Sequence, residues 1–189
     1  VVCSETTGQG YALNARNTSV AFADGATVSG PVRLTGGGRL ELDLGEDSRV
    51  IAANAPGVLV YSADGQAIAR VDDVVTTGTA AYGVQVFGAQ DARAEATGTV
   101  RTGGALAHAV LARSAGSAAI DANELITTGD QAVGALASGG AGLVSVEANR
   151  VSTQGNFADG IFALNTGGDV RVSSGTVATR GVDSDGVQA

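Results

Sequence analysis

Residues 151–175 read VSTQGNFADGIFALNTGGDVRVSSG, and residues 125–149 read LITTGDQAVGALASGGAGLVSVEAN. Laid one above the other, they share a template. An apolar residue opens each unit, a threonine follows two places on, and a glycine bend comes next. Then comes an apolar pair introduced by glycine, and a last short stretch in which apolar and polar residues alternate. The same template runs outward in both directions. Anchored on the residue that opens the apolar pair, Gly57, Gly83, Ala109, Gly134, Gly160 and Gly186 are separated by 26, 26, 25, 26 and 26 residues. A period in this range is the mark of a stacked repeat, each unit burying its apolar face against its neighbours.

Whole columns align on these anchors. Val74, Val100, Leu125, Val151 and Val177 form one, and Thr76, Thr102, Thr127, Thr153 and Thr179 form the next. Val58, Val84, Val110, Ala135, Ile161 and Val187 form another, followed by Val60, Val86, Ala112, Ala137, Ala163 and Ala189. A further set is Ala94, Ile120, Val146 and Val172, with Val32, Leu34 and Leu42 aligning to Val58, Val60 and Ile68. The one-residue slip is expected at the turn near Arg113 to Gly116, because lengths change at turns while strands hold register.

Each unit holds three short stretches of period two, separated by Gly, Asn, Asp and Ser, with no helical spacing. The expected fold is all-β: a right-handed parallel β-helix of about seven coils of about 26 residues, three short strands per coil, in one domain spanning 1–189. With coils about 4.8 Å apart, seven make a rod of about 35 Å. Residues 1–31 are expected to form an N-terminal cap or an irregular coil. Gly78, Gly104, Gly129, Gly155 and Gly181 are expected to take positive φ at the bends.

Composition agrees with a thin, layered core. There are 29 Gly and 44% hydrophobic residues but only 4% aromatic ones, and neither Met nor Trp. The formal net charge of −8 repels phosphate backbones and excludes nucleic acid as a partner. No apolar run approaches the roughly 20 residues that cross a bilayer. No signal-peptide pattern opens the chain, so any export signal or anchor is expected outside this stretch.

The opening VVCSETTGQGYAL, the segment SVAFADGATVSG at 19–30, and coils of V-x-T-x-G and G-I-x-A type resemble the passenger regions of bacterial autotransporters. That resemblance implies type V secretion, with a Sec signal before this stretch, a right-handed β-helix outside the cell, and an outer-membrane β-barrel beyond it. Passengers of this kind are most often adhesins or self-association factors, and some carry a protease or esterase domain.

The chemistry-bearing residues are few. His108 is the only histidine, which excludes a multi-histidine metal site and leaves a lone base; it occupies the place of Tyr82 and Asp159, expected at a turn or on the outer surface. Cys3 is the only cysteine and lacks an evident activating neighbour. Asp43, Glu95, Asp121 and Glu147 align in one outward column, interrupted by Ala69 and ended by Ser173. Carboxylates on successive rungs would lie about 5 Å apart, as a solvated stripe or a weak cation site, with Arg93 and Arg171 beside it. Tyr82 with Phe87, and Phe157 with Phe162, cluster by register. The Asp-Gly pairs at 24–25, 64–65, 159–160 and 185–186 are turns, and GALASGGAG at 134–142 is a corner with no following Lys to make a phosphate loop.

No enzyme, cofactor or metal is expected. The expected function is an extracellular rod, displayed on a bacterial surface, acting in adhesion or cell-cell association. Its partner would be a protein or glycan on another cell or host surface, or further copies of itself, with Glu95, Asp121 and Glu147 as the candidate face. The rival readings are a stalk that carries an activity located elsewhere, or a polysaccharide-acting β-helix enzyme.

Overall fold

A computed structural model describes the backbone of residues 2–3 and all of residues 10–189. Every regular element among the described residues is a strand, and all belong to one 17-stranded sheet wound into a parallel β-solenoid of about seven coils. Strands pair one period apart: Val58–Ser62 with Val84–Gly88, that strand with Val110–Ser114, and so on through Ala135–Gly139 to Ile161–Asn165. These strands make the first face. The second face holds Ala67–Val71 and the leading halves of Asp91–Gly103, Ser117–Thr127, Val144–Thr153 and Val170–Thr179. The third holds Thr27–Ser29, Arg49–Ala53, Asp73–Thr77 and the trailing halves of those same long strands.

The three short strands of a coil are therefore only partly separate. From Asp91 onward the second and third stretches run on as one strand of 10 to 13 residues. The corner within Asp91–Gly103, between its second-face and third-face halves, is a bulge against the next coil: the register shifts between Ala96 and Thr99, where Thr97 and Gly98 stand against Asn123 alone. Two residues opposing one bend a strand without breaking it. This is where one residue is lost from the period. The compensating gain falls at the expected turn, where residues 139–143 bulge over 114–117 and the Gly140 and Ala141 amides donate to Gly116 and Ala115. Of residues 1–31, Tyr11–Phe22 and Thr27–Ser29 pair in parallel with the coil that follows.

The core is the stack of inward columns. Val74, Val100, Leu125 and Val151 are fully buried and in register. Val58, Val84, Val110, Ala135 and Ile161 form a second buried ladder. The alignment of Leu42 with Ile68 is corrected: Leu42 pairs with Ala69, and Ile68 pairs with Glu41 at an outward strand position, where Ile68 is nonetheless buried. The segment 63–66 has one residue more than 37–39, so the pairing steps from Gly36↔Ser62 to Leu40↔Ala67. A one-residue slip exchanges inside for outside along a strand.

Two columns show what the solenoid asks of its residues. Four threonines of one inward column on the third face are buried, and each donates its hydroxyl to a carbonyl five residues on: Thr76 to Ala81 at 2.6 Å, Thr102 to Ala107 at 2.5 Å, Thr127 to Ala132 and Thr153 to Ala158 at 2.7 Å. The corner that follows is closed by that bond. The bend glycines serve a different end from the one expected. Among them only Gly78 has positive φ; the left-handed residue lies two places further on, at Ala80, Leu106, Gln131, Phe157 and Asp183. Gly104, Gly129, Gly155 and Gly181 are instead close-approach positions, where a Cβ would run into the carbonyl oxygen of the glycine one coil earlier.

Candidate functional site

On the second face, Glu95, Asp121 and Glu147 occupy successive rungs in register, followed by Ser173. The residue between Asp43 and Glu95 is Arg70, not Ala69, which points inward and is buried. The slip at 63–66 causes this, and it changes the electrostatics. Arg70 pairs with Glu41 and, through Nε at 2.9 Å, with Glu95; Arg93 pairs with Glu95, and Arg39 reaches Glu41 at 3.3 Å. The Arg70 guanidinium holds the Glu41 carboxyl below the ordinary range, and the Glu41 carboxylate raises Arg70 in turn. The upper part of the column is thus a neutralised lattice of half-exposed ions. Asp121 and Glu147 continue it without an ion-pair partner among the described residues. No three His, Cys, Asp or Glu side chains among the described residues converge in a way that could hold a metal ion.

Many other carboxylates have a structural occupation that the sequence did not advertise. Side-chain oxygens of Asp24, Asp73, Asp91, Asp130 and Asp159 accept the backbone N–H of Glu46, Thr99, Ser117, Asn156 and Asp185, at 2.8 to 3.2 Å. Each bond ties a turn to the next coil, where the ladder leaves an amide open. His108 does the same work. Its Nδ1 accepts the Val133 N–H at 2.9 Å, and its ring meets Tyr82 edge-on at 5.0 Å. It lies at the turn as expected, but as a half-buried acceptor with its pKa lowered by burial. The Cys3 side chain lies outside the described residues.

The first face carries the feature that sequence reasoning missed. Its outward positions form two columns: Leu59, Gln85, Leu111, Leu136 and Phe162, and beside them Tyr61, Phe87, Arg113, Ser138 and Leu164. Tyr61 and Leu164 are 46% and 48% exposed, and the others sit at intermediate depth apart from the exposed Arg113. The Tyr61 and Phe87 rings stand 6.4 Å apart, tilted by 58°. They line a trough of about 360 Å³ with Arg113, and a second trough of about 440 Å³ continues past Phe87, Leu111 and Leu136 to Phe162 and Leu164. The expected aromatic clusters are rearranged accordingly, since Phe87 meets Tyr61 and Tyr82 meets His108. The signal was present in VLVYS, VQVFG, VLARS and IFALN: these strands carry apolar residues at outward places too, where a half-buried strand would be polar.

Comparison with protein-family models, with curated proteins and with solved structures finds no match to this chain.

Proposed function

We propose that this chain is a rigid interaction scaffold, a stretch of a surface-displayed β-helical passenger that makes adhesive or cell-cell contacts through its outer wall. The observation that carries the reading is the apolar and aromatic ladder of the first face, from Leu59 and Tyr61 to Phe162 and Leu164. A sheet facing only water alternates apolar inside with polar outside, and the apolar residues at the outward places of this face depart from that alternation. The parallel ladder supports the mechanism: coils held in register present the same outward side chains at a fixed repeat, so contacts weak one by one add along the rod. The autotransporter-like repeat style supports an extracellular, outer-membrane-anchored setting for the complete protein.

The test is adhesion of beads coated with the chain, to one another and to host-cell monolayers. Leu136→Asp with Phe162→Asp should abolish attachment, while neutralising Glu95, Asp121 and Glu147 to their amides should leave it largely intact. Loss only with the amide variant would move the interaction face to the second side. Beads that never attach would favour the stalk reading, which the closely bonded Thr and Asp ladders also suit.

A further inference from the structure

Building on the adhesive reading, we infer that the trough between Tyr61, Phe87 and Arg113 binds a glycan residue that carries a carboxylate, such as a uronic or sialic acid. The three side chains stand on successive rungs of one outward column, Tyr61 paired with Phe87 and Phe87 with Arg113. Two tilted aromatic rings 6.4 Å apart offer surfaces for the C–H faces of a pyranose. Arg113 sets the charge. Like Arg33, Arg49, Arg101, Arg171 and Arg180 it has no carboxylate partner among the described residues, and it is the one of these that lines the trough beside Tyr61 and Phe87. On a chain of net charge −8, an unpaired guanidinium beside two rings is a local inversion of sign, and its planar fork suits a carboxylate held by two parallel bonds.

The geometry selects against other occupants. The strands beneath the trough are paired on both edges within the ladder, so a peptide finds no open backbone to pair with and recognition rests on side chains. The strip is two residues wide, and five rungs at about 4.8 Å give on the order of 200 Å², far short of the roughly 800 Å² per partner of a stable protein interface. A narrow chain lying along the rod fits that area. The second trough, past Leu111 and Leu136 towards Phe162, extends in line and would accept the less polar faces of further sugar units.

The experiment uses the whole chain with trigalacturonate, its fully methyl-esterified form, and hexaglutamate, followed by saturation-transfer NMR and by chemical-shift changes of Tyr61 and Phe87. Trigalacturonate should shift both rings, the methyl ester should bind at least tenfold more weakly, and Arg113→Gln should cost at least tenfold. Tyr61→Ala should also weaken binding. All these side chains point outward, and an unchanged far-UV circular dichroism spectrum verifies each fold. No transfer to trigalacturonate overturns the inference; so does equal binding by Arg113→Gln, equal binding of hexaglutamate, or a dimer in sedimentation that Tyr61→Ala disperses. Beads that adhere while trigalacturonate gives no transfer to the chain would leave the adhesive reading standing and remove this one. Sugar binding without any bead attachment would do the reverse.

Discussion

A Gly134→Ala substitution tests the packing logic of the solenoid with a single methyl group. A Cβ at Gly134 would overlap Val151 Cγ1 and stand 2.6 Å from the Gly160 carbonyl oxygen. That carbonyl cannot swing aside freely, because it accepts the Ala135 N–H at 3.0 Å. The same conflict recurs along the column, since a Cβ at Gly57 would lie 2.6 Å from Val74 Cγ1, and those at Gly83 and Gly160 would crowd Val100 and Val177. The column contains one natural exception. Ala109 replaces glycine in the coil whose facing column position is Leu125, the only residue there branched at Cγ and not at Cβ. The extra methyl should therefore cost about 1–3 kcal/mol by overpacking. At a urea slope of about 2 kcal/mol per molar, this lowers the unfolding midpoint by about 0.5–1.5 M with the slope unchanged. In the Gly134→Ala background, Val151→Leu should recover part of the loss, with a coupling of at least about 0.5 kcal/mol across the double-mutant cycle. Relief stays incomplete, because the Gly160 carbonyl still crowds the methyl. The assay is urea denaturation of the four chains followed by circular dichroism. A midpoint that Gly134→Ala leaves in place, or a cycle without coupling, would refute the glycine–valine complementarity.

The buried threonine ladder gives a second test. Thr127→Val keeps the shape but removes the hydroxyl that donates to the Ala132 carbonyl at 2.7 Å; leaving that acceptor unpaired in a buried corner should cost about 1–3 kcal/mol in urea unfolding, and Thr127→Ser should retain the bond. A valine variant as stable as the parent would show that the bond contributes nothing. His108 supplies a pH dependence. Its folded pKa is depressed by burial, and only the unprotonated Nδ1 can accept from Val133, so the unfolded chain binds the proton more readily. The stabilisation is complete above the unfolded value of about 6.5 and is lost as pH falls from there through the folded pKa. His108→Asn, which keeps an acceptor as Asp159 does for Asp185, should flatten the stability profile on the acid side of about pH 6.5. An unchanged slope would exclude the histidine as its source.

Sequence alone determined the repeat, the parallel stack and most of the inward columns. Those properties are local and periodic: when every rung repeats its neighbour's pattern, one aligned column reports the burial of all its members, as with Val100, Leu125 and Val151. Tertiary structure alone decided what depends on a single residue of phase or on contacts between coils. The extra residue in 63–66 put Arg70 where Ala69 was expected and turned an acidic stripe into an ion lattice around Glu95. The bend glycines owe their identity to a carbonyl one coil away, which no local propensity records. The carboxylates of Asp73, Asp91 and Asp130 look like surface charge in the sequence, and become turn closures once the next coil's amide stands opposite. The first-face trough exists only because Tyr61, Phe87 and Arg113, far apart along the chain, fall on adjacent rungs of one outward column. Stacking converts a period in the sequence into neighbours in space, and small changes in that period decide which side chains those neighbours are.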